Sequence, residues 1–344
     1  MLLKKTNKSV IITISIKKRV DIMENKMNAV ILDGYTENPG DLNWDYLESV
    51  FNLTVYDRTP PEKVLERSKD ADVLIVNKVA ITRDILKNLP KLKFVATLAT
   101  GFNQLDTVAL RERNIPVSNI PSYSTNAVAQ TVFSFILEFT NRVGHYTDSV
   151  KKGEWSDCKD FCYWNTPLNE LSGKTLGIVG FGKIGRRVSE IALAFNMNVL
   201  VYTPSGKKQA DERIKFTTLE DVQKNSDYIS LHCPLTDKTN ELVNKDFIAN
   251  MKDGASLINT ARGAVINEQD VADALNSGKL SYFGADVLST EPPKKDNPLL
   301  SAKNVFLTPH IAWAAYETRL RLLEILNGNI KAFLEGKPIN VVNM

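Results

Sequence analysis

A glycine-rich segment near the middle of the 344-residue chain constrains its fold more than any other feature of the sequence. Residues 176–179 have the continuous apolar pattern of a buried strand, and residues 186–196 have the spacing of an amphipathic helix. Between them stand Gly180, Gly182 and Gly185, in the order that a dinucleotide-binding turn requires. The first glycine permits a tight turn, the second lets a phosphate approach the backbone, and the third lets the helix pack closely on the strand. This segment predicts a Rossmann-type domain that binds NAD or NADP.

The strand after this helix lacks the acid that usually selects NAD. NAD sites place an Asp or Glu about 20 residues beyond the glycine motif, where it binds the ribose hydroxyls. Here Thr203 stands at the strand end, followed by Ser205, Lys207 and Lys208. These residues would either accommodate the 2′-phosphate of NADP or form a solvated loop beside a neutral ribose contact. The sequence leaves the choice between NAD and NADP open.

Short apolar segments alternate with longer amphipathic ones along most of the chain, which predicts two doubly wound α/β domains. A long helix over residues 124–142 could join them, and a last helix over residues 313–334 returns the chain to the first domain. We predict a substrate domain from residues 27–123 plus 314–344 and a dinucleotide-binding domain from residues 124–313. The predicted strands lie at residues 29–32, 53–56, 73–76, 94–98, 175–179, 198–202, 228–232, 255–259, 283–287 and 305–307.

The first 26 residues carry most of the positive charge. They hold seven Lys or Arg residues against Asp21 and Glu24, so the rest of a chain with a net charge of +3 is slightly acidic. No dense basic cluster follows residue 30, which argues against nucleic acid as a partner. No apolar run reaches the roughly 20 residues that a membrane helix needs, which argues against a membrane. We expect residues 1–26 to be a disordered basic extension, or an upstream start ahead of Met23 or Met27.

The three cysteines, Cys158, Cys162 and Cys233, are an odd number and lack His or Cys partners at zinc-binding spacing. Free thiols in a reducing compartment are expected, so the sequence predicts a cytoplasmic protein without a metal site. Residues 151–171 are rich in aromatic side chains that follow neither the helix nor the strand period. Such a composition favours a packed arm or a partner surface over a flexible linker.

Three predicted parallel strands each end near a polar residue that could serve in catalysis. Arg262 follows residues 255–259, Glu291 follows residues 283–287, and His310 follows the last strand. Because ligands bind where the carboxyl ends of parallel strands meet, these side chains can converge. Arg262 would bind the carboxylate of a 2-keto acid, His310 would donate a proton to the alkoxide, and Glu291 would favour the protonated imidazole. Each also has a structural alternative: a turn cap for Arg262, a surface acid for Glu291 and a packed histidine for His310.

Together these motifs resemble the D-isomer-specific 2-hydroxyacid dehydrogenase family over nearly the whole chain from about Met27. The resemblance implies a flavodoxin-like substrate domain, a Rossmann-type cofactor domain, a homodimer, and catalysis by Arg262, Glu291 and His310. It also implies that backbone amides around Thr100 and Gly101 bind the substrate carboxylate, beside Arg262 and His310. The similar segments are residues 99–103 (ATGFN), the glycine motif, and residues 231–235 (LHCPL), 259–263 (NTARG), 286–292 and 308–310 (TPH).

The resemblance further implies that Asp286 contacts the nicotinamide amide, although the same residue could simply cap a strand end. The predicted cofactor contacts are Gly180, Gly182, Lys183, Ile184, Gly185, Thr203, Cys233, Pro234, Thr260, Ala261, Arg262 and Asp286.

Within the family, residues 160–164 and 310–313 are most similar to the enzymes that interconvert hydroxypyruvate and D-glycerate. Trp313 could shape a small pocket there, or anchor a helix. Glyoxylate, pyruvate, as in a D-lactate dehydrogenase, and branched 2-keto acids are the alternative substrates. A corepressor-like protein that senses NADH is the alternative of another class, and the intact set of Arg262, Glu291 and His310 argues against it.

Overall fold

A computed structural model describes residues 26–206 and 211–344, which form two compact units. Unit 1 contains the described residues up to Tyr123 together with Tyr316–Met344, and unit 2 is the continuous segment Ser124–Ala315. The predicted extension lies outside the described residues except for Lys26, whose ammonium donates to the Glu48 carbonyl at 2.9 Å. Across the two described ranges, no helix is long and apolar enough to cross a membrane.

Unit 1 is built on a parallel sheet. Its strands are β1 (Asn28–Ile31), β2 (Asn52–Val55), β3 (Val73–Val76), β4 (Phe94–Thr97) and β5 (Val117–Ser118), in the order β2-β1-β3-β4-β5. This is the flavodoxin-like order, which confirms the class expected for the first domain. Every residue of β3 and β4 is buried, as in a parallel sheet covered on both faces.

The C-terminal residues complete unit 1. Its helices are Asp45–Val50, Val64–Ser68, Arg83–Lys87, Thr107–Glu112 and Tyr316–Leu334, the last being the C-terminal helix. In that helix Phe333 stacks on Phe94 of β4, with 4.4 Å between the ring centroids. Beyond it, the Val342 N–H donates to the Val117 carbonyl at 2.9 Å, and the Asn343 side chain accepts from the Val117 N–H at 2.8 Å. The edge strand β5 is therefore covered by the chain's own last residues.

Unit 2 contains a longer parallel sheet. Its strands are β6 (Thr175–Val179), β7 (Asn198–Tyr202), β8 (Ile214–Phe216), β9 (Tyr228–Leu231), β10 (Ala255–Asn259), β11 (Leu280–Ala285) and β12 (Val305–Leu307), in the order β12-β11-β10-β9-β6-β7-β8. Counted from β6, this is the 3-2-1-4-5-6 order of a Rossmann sheet with one strand added. The prediction of two doubly wound α/β domains is thus confirmed.

A long helix, Thr125–Asn141, packs on this sheet. Its apolar side chains at helical spacing are buried, and Phe139 stacks on Tyr282 of β11 with 5.2 Å between ring centroids. Gly284 permits this approach, because a Cβ there would lie 2.7 Å from the Phe135 ring. The other helices of unit 2 are Val143–Lys151, Lys183–Ala194, Leu219–Asn225, Lys245–Ala249 and Glu268–Ser277.

Candidate active site

The glycine-rich turn after β6 has the backbone that the sequence predicts. Gly180 has a φ of +97°, and a Cβ there would lie 2.7 Å from the backbone N of Cys233. A Cβ at Gly185 would lie 2.4 Å from the Gly180 carbonyl oxygen. At Gly182, by contrast, a Cβ would meet nothing within 4 Å. The first and third glycines are therefore required by packing, while the second leaves open space beside the backbone.

This open space faces the start of a helix. Lys183–Ala194 begins after Gly182 without a side-chain cap, three residues earlier than the pattern predicted. The first N–H groups of a helix have no partner within it and carry the positive end of its dipole. A Gly-rich turn that ends in an uncapped helix start fits the pyrophosphate of a dinucleotide.

The turn after β10 places Thr260, Ala261 and Arg262 beside one another. Asn259 holds it, because its side chain donates to the Arg262 carbonyl at 2.9 Å and accepts from the Ala261 N–H at 3.0 Å. The Thr260 hydroxyl is buried and has no hydrogen-bond partner among the described residues. Since buried polar groups are nearly always bonded, this hydroxyl is suited to a bound cofactor. The Arg262 guanidinium is exposed and donates to the Ala261 carbonyl at 2.7 Å.

Gly263 brings the next loop against this turn. A Cβ at Gly263 would lie 1.9 Å from the carbonyl carbon of Leu288, so the two backbones touch. Leu288 lies in the loop that carries Glu291, and its N–H donates to Glu291 Oε1 at 3.2 Å. The segment with the predicted acid is thus packed directly beside the segment with Arg262.

Glu291 and His310 are in contact. The second carboxylate oxygen of Glu291 lies 2.6 Å from His310 Nδ1. Because an ionised carboxylate only accepts hydrogen bonds, Nδ1 carries the proton of this bond and Nε2 is left for another partner. Both side chains are about one-third exposed, at 30% for His310 and 35% for Glu291, so a small molecule can reach them. The two side chains are therefore bonded to each other, and the catalytic role of the pair stays a prediction.

Asp286 stabilises the loop that carries His310. It is buried, and its Oδ1 accepts from the Thr308 hydroxyl at 2.6 Å and from the Ile311 N–H at 2.8 Å, while Oδ2 accepts from the Ala312 N–H at 2.9 Å. Asp286 therefore has the capping role that the sequence allowed. The nicotinamide contact stays a prediction.

Of the two predicted cofactor contacts that follow β9, Cys233 is buried and Pro234 is exposed. His232 and Cys233 follow β9, where the Ser230 hydroxyl lies 2.9 Å from His232 Nε2. Burial lowers the pKa of His232 to about 3, so this imidazole is neutral, and burial raises the pKa of the Cys233 thiol.

The end of β7 leaves the choice of cofactor open. The hydroxyls of Thr203 and Ser205 lie 3.0 Å apart and are bonded to each other. Lys207 and Lys208, the candidates for a 2′-phosphate contact, lie outside the described residues.

In unit 1, the predicted substrate amides follow β4. The Thr100 hydroxyl donates to the Ile120 carbonyl at 2.7 Å, and Asn119 donates to the Thr100 carbonyl at 2.8 Å. Within the described part of the chain, the N–H groups of Thr100 and Gly101 donate to no other group. They are available to a carboxylate.

Sequence reasoning missed two residues that order this edge of unit 1. Asp33, after β1, accepts from the N–H groups of Asn77, Lys78 and Val79 at 2.6 to 3.0 Å, which fixes the loop after β3. Gln104 donates to the Asn77 carbonyl at 2.7 Å and to the Thr97 hydroxyl at 2.9 Å. An acid directly after the first strand was the one available signal.

No group of three or more His, Cys, Asp or Glu residues suited to a metal ion is found among the residues that the structure describes. Cys158, Cys162 and Cys233 are free thiols.

Comparison with known proteins finds relatives that match most of the chain. A family model described as the NAD-binding domain of D-isomer-specific 2-hydroxyacid dehydrogenases matches residues 133–312. A hydroxypyruvate reductase of Blautia hydrogenotrophica is 46% identical over 321 residues, which cover 92% of this chain and 100% of that protein. A glycerate dehydrogenase of Methylorubrum extorquens is 37% identical over 284 residues, covering 82% and 88% of the two chains.

Solved structures show the same similarity. An acyclic imino acid reductase in complex with NADPH and D-Arg has a TM-score of 0.80 and 31% identity, covering 92% of this chain and 100% of that chain. A D-lactate dehydrogenase from Aquifex aeolicus, complexed with NAD and lactic acid, has a TM-score of 0.79 and 32% identity, covering 92% and 99%.

Proposed function

Because this chain belongs to the D-isomer-specific 2-hydroxyacid dehydrogenase family, we propose that it is an NAD(P)-dependent enzyme that reduces a small 2-keto acid to the D-2-hydroxy acid. Hydroxypyruvate is the first candidate substrate and glyoxylate the second, because one relative named hydroxypyruvate reductase and another named glyoxylate reductase each match most of the chain. The observation that carries the proposal is the 2.6 Å contact between His310 Nδ1 and Glu291 beside the Arg262 turn.

The proposed catalytic roles follow from the chemistry of these three side chains. Arg262 binds the substrate carboxylate through its planar guanidinium, which matches a carboxylate in two parallel bonds. Glu291 holds Nδ1 of His310, so that Nε2 carries the proton given to the carbonyl oxygen. The reduced nicotinamide, when bound, supplies the hydride to the carbonyl carbon. The proton and the hydride together convert the carbonyl into a hydroxyl group.

The free N–H groups of Thr100 and Gly101 are proposed as further contacts to the substrate carboxylate. Backbone amides suit this role, because they are fixed donors that need no reorganisation when the anion binds.

The cofactor is proposed to bind along the carboxyl ends of β6, β7, β9, β10 and β11. Gly180, Gly182 and Gly185 with the N–H groups of Lys183 and Ile184 would hold the pyrophosphate. The remaining proposed contacts are Thr203, Cys233, Pro234, Thr260, Ala261, Arg262 and Asp286. The unpartnered hydroxyl of Thr260 gives this assignment its own support.

We also propose a homodimer formed through the aromatic arm, residues 151–171. Phe161, Trp164 and Trp155 are 89%, 69% and 52% exposed, which is costly for large apolar side chains unless a partner covers them. The arm is bonded to the preceding helix, because the Ser149 hydroxyl donates to Glu154 at 2.6 Å and also bonds to the Tyr163 hydroxyl. Exposed aromatic side chains of this kind suit a contact with a second copy of the chain.

A cytoplasmic location is proposed from the three free thiols, which suit a reducing compartment, and cell fractionation tests it. Nucleic acid and membrane are not proposed as partners.

The enzyme is tested with hydroxypyruvate, glyoxylate, pyruvate and a branched 2-keto acid, each with NADH and with NADPH, followed at the nicotinamide absorbance. Turnover of hydroxypyruvate or glyoxylate is expected, and activity confined to the bulky acid would contradict the substrate assignment. His310→Gln should lower kcat by roughly 10²- to 10⁴-fold and leave NADH binding intact. A wild-type protein that binds NADH but reduces none of the four acids would instead favour the corepressor-like alternative.

A further inference from the structure

The backbone of His310 has an unusual conformation. Its φ is +54°, in the left-handed region that residues other than glycine rarely adopt. Such a conformation persists where surrounding contacts impose it. The direction of the imidazole therefore depends on the groups that hold the backbone of residue 310.

The peptide that joins His310 to Ile311 is held at both ends. Its N–H, on Ile311, donates to Asp286 Oδ1 at 2.8 Å. Its carbonyl, on His310, accepts from the indole N–H of Trp313 at 2.8 Å. With its donor and its acceptor both fixed, this peptide plane cannot rotate, and the rotation of the plane is what sets ψ of His310.

We propose that Trp313 is a positioning residue for His310, acting through its indole N–H. This rests on the proposed role of His310 as proton donor. Without the indole, the His310 carbonyl loses its fixed donor and the peptide is held by Asp286 alone. The imidazole then leaves the orientation in which Nδ1 meets Glu291 and Nε2 meets the substrate. Because a displacement of about 1 Å can lower a rate by about 100-fold, the bond has a kinetic consequence.

Two other roles for Trp313 make different predictions. A wall of the substrate pocket or a helix anchor needs the bulk of the ring, whereas a positioning role needs its N–H. Trp313→Phe keeps an aromatic ring and removes the donor. Trp44→Phe is the matched control, because the Trp44 indole lies in unit 1 and donates to no group within the described residues.

The first measurement is steady-state kinetics with hydroxypyruvate. Trp313→Phe should lower kcat by about tenfold or more while KM changes less than twofold, and Trp44→Phe should change neither. A Trp313→Phe enzyme with unchanged kcat overturns the proposal. So does one in which only KM or the preference among 2-keto acids changes, because that result identifies a pocket wall.

The second measurement does not require turnover. The chain has three histidines, so a ¹⁵N-histidine-labelled protein gives three imidazoles, and His310→Gln assigns one of them. In the wild type the neutral His310 ring should show the Nδ1–H tautomer, and in Trp313→Phe the Nε2–H tautomer should appear. An unchanged His310 signal overturns the proposal. If the wild type reduced no 2-keto acid, the proposed function would fail, and this spectrum would still decide whether Trp313 holds His310.

Discussion

Glu37 in unit 1 should make the stability of the protein depend on pH in an unusual direction. It follows β1 and is 1% exposed. Its Oε2 accepts from the Thr36 hydroxyl at 2.9 Å, while Oε1 has no partner among the described residues. Burial, with a smaller contribution from the nearby Asp33 carboxylate, raises the pKa of Glu37 from 4.5 to about 8.

The sign of the effect follows from where the proton is bound. Below pH 4.5 the carboxyl is protonated in the folded and the unfolded chain, and the pH has no effect through this group. Between pH 4.5 and about 8 the folded chain keeps the proton that the unfolded chain has lost, so stability falls as the pH rises. At about 1.4 kcal/mol for each pH unit, the loss reaches about 5 kcal/mol above pH 8.

Glu37→Gln removes this titration and keeps a side chain of the same shape. The free energy of unfolding of the variant minus that of the wild type should therefore rise by about 5 kcal/mol from pH 4.5 to pH 8.5 and then level off. Urea unfolding of both proteins, followed by circular dichroism at half-unit pH steps, measures this difference, in which other titrating groups cancel. The same substitution at the exposed Glu62 is the control. If the difference in unfolding free energy between Glu37→Gln and the wild type does not change with pH, the pKa of Glu37 is not raised by burial and the reasoning is refuted.

Two further outcomes are expected. Gly185→Ala should weaken NADH binding by at least about tenfold, measured by nicotinamide fluorescence, because its Cβ would lie 2.4 Å from the Gly180 carbonyl oxygen. Gly144→Ala is the control, since a Cβ at Gly144 meets nothing within 4 Å. Equal NADH affinity in the two variants would count against the pyrophosphate assignment. In sedimentation velocity the wild type should behave as a dimer and Trp164→Glu as a monomer. The Trp164 ring is 69% exposed on the arm, so the substitution places a charge in the proposed dimer contact. A monomeric wild type would exclude the proposed dimer.

The sequence predicts those parts of the fold in which a position accepts only one type of residue. The glycine motif specifies its own turn, because at Gly180 and Gly185 the backbone lies where a Cβ would be. Glu291 and His310 could be paired from the sequence, because both follow strands whose carboxyl ends meet. The contact expected between the two side chains is present, and the structure adds the atoms that make it, Glu291 Oε2 and His310 Nδ1.

The missed elements depend on distant residues. Strand β5 has two residues, too few for a pattern, and is formed by pairing with β4 and contact with Asn343. Strand β8 has three residues, and the exposed Lys215 at its centre interrupts the apolar run. The helix that starts at Lys183 was predicted three residues late, because its first turn contains Gly185 and shows no apolar period. Acids are normally expected at the surface, so the buried position of Glu37 and the half-buried position of Asp33 were not predicted.

The last residues of the chain bear on the order in which its two units can be completed during synthesis. Residues 124–315 form a continuous unit whose sheet needs no later segment. Unit 1, although it is translated first, cannot stack Phe94 on Phe333 or cover β5 until the ribosome has made the final thirty or so residues. The part of unit 1 that precedes residue 124 therefore waits, with part of its apolar sheet uncovered, while the whole of the second unit emerges.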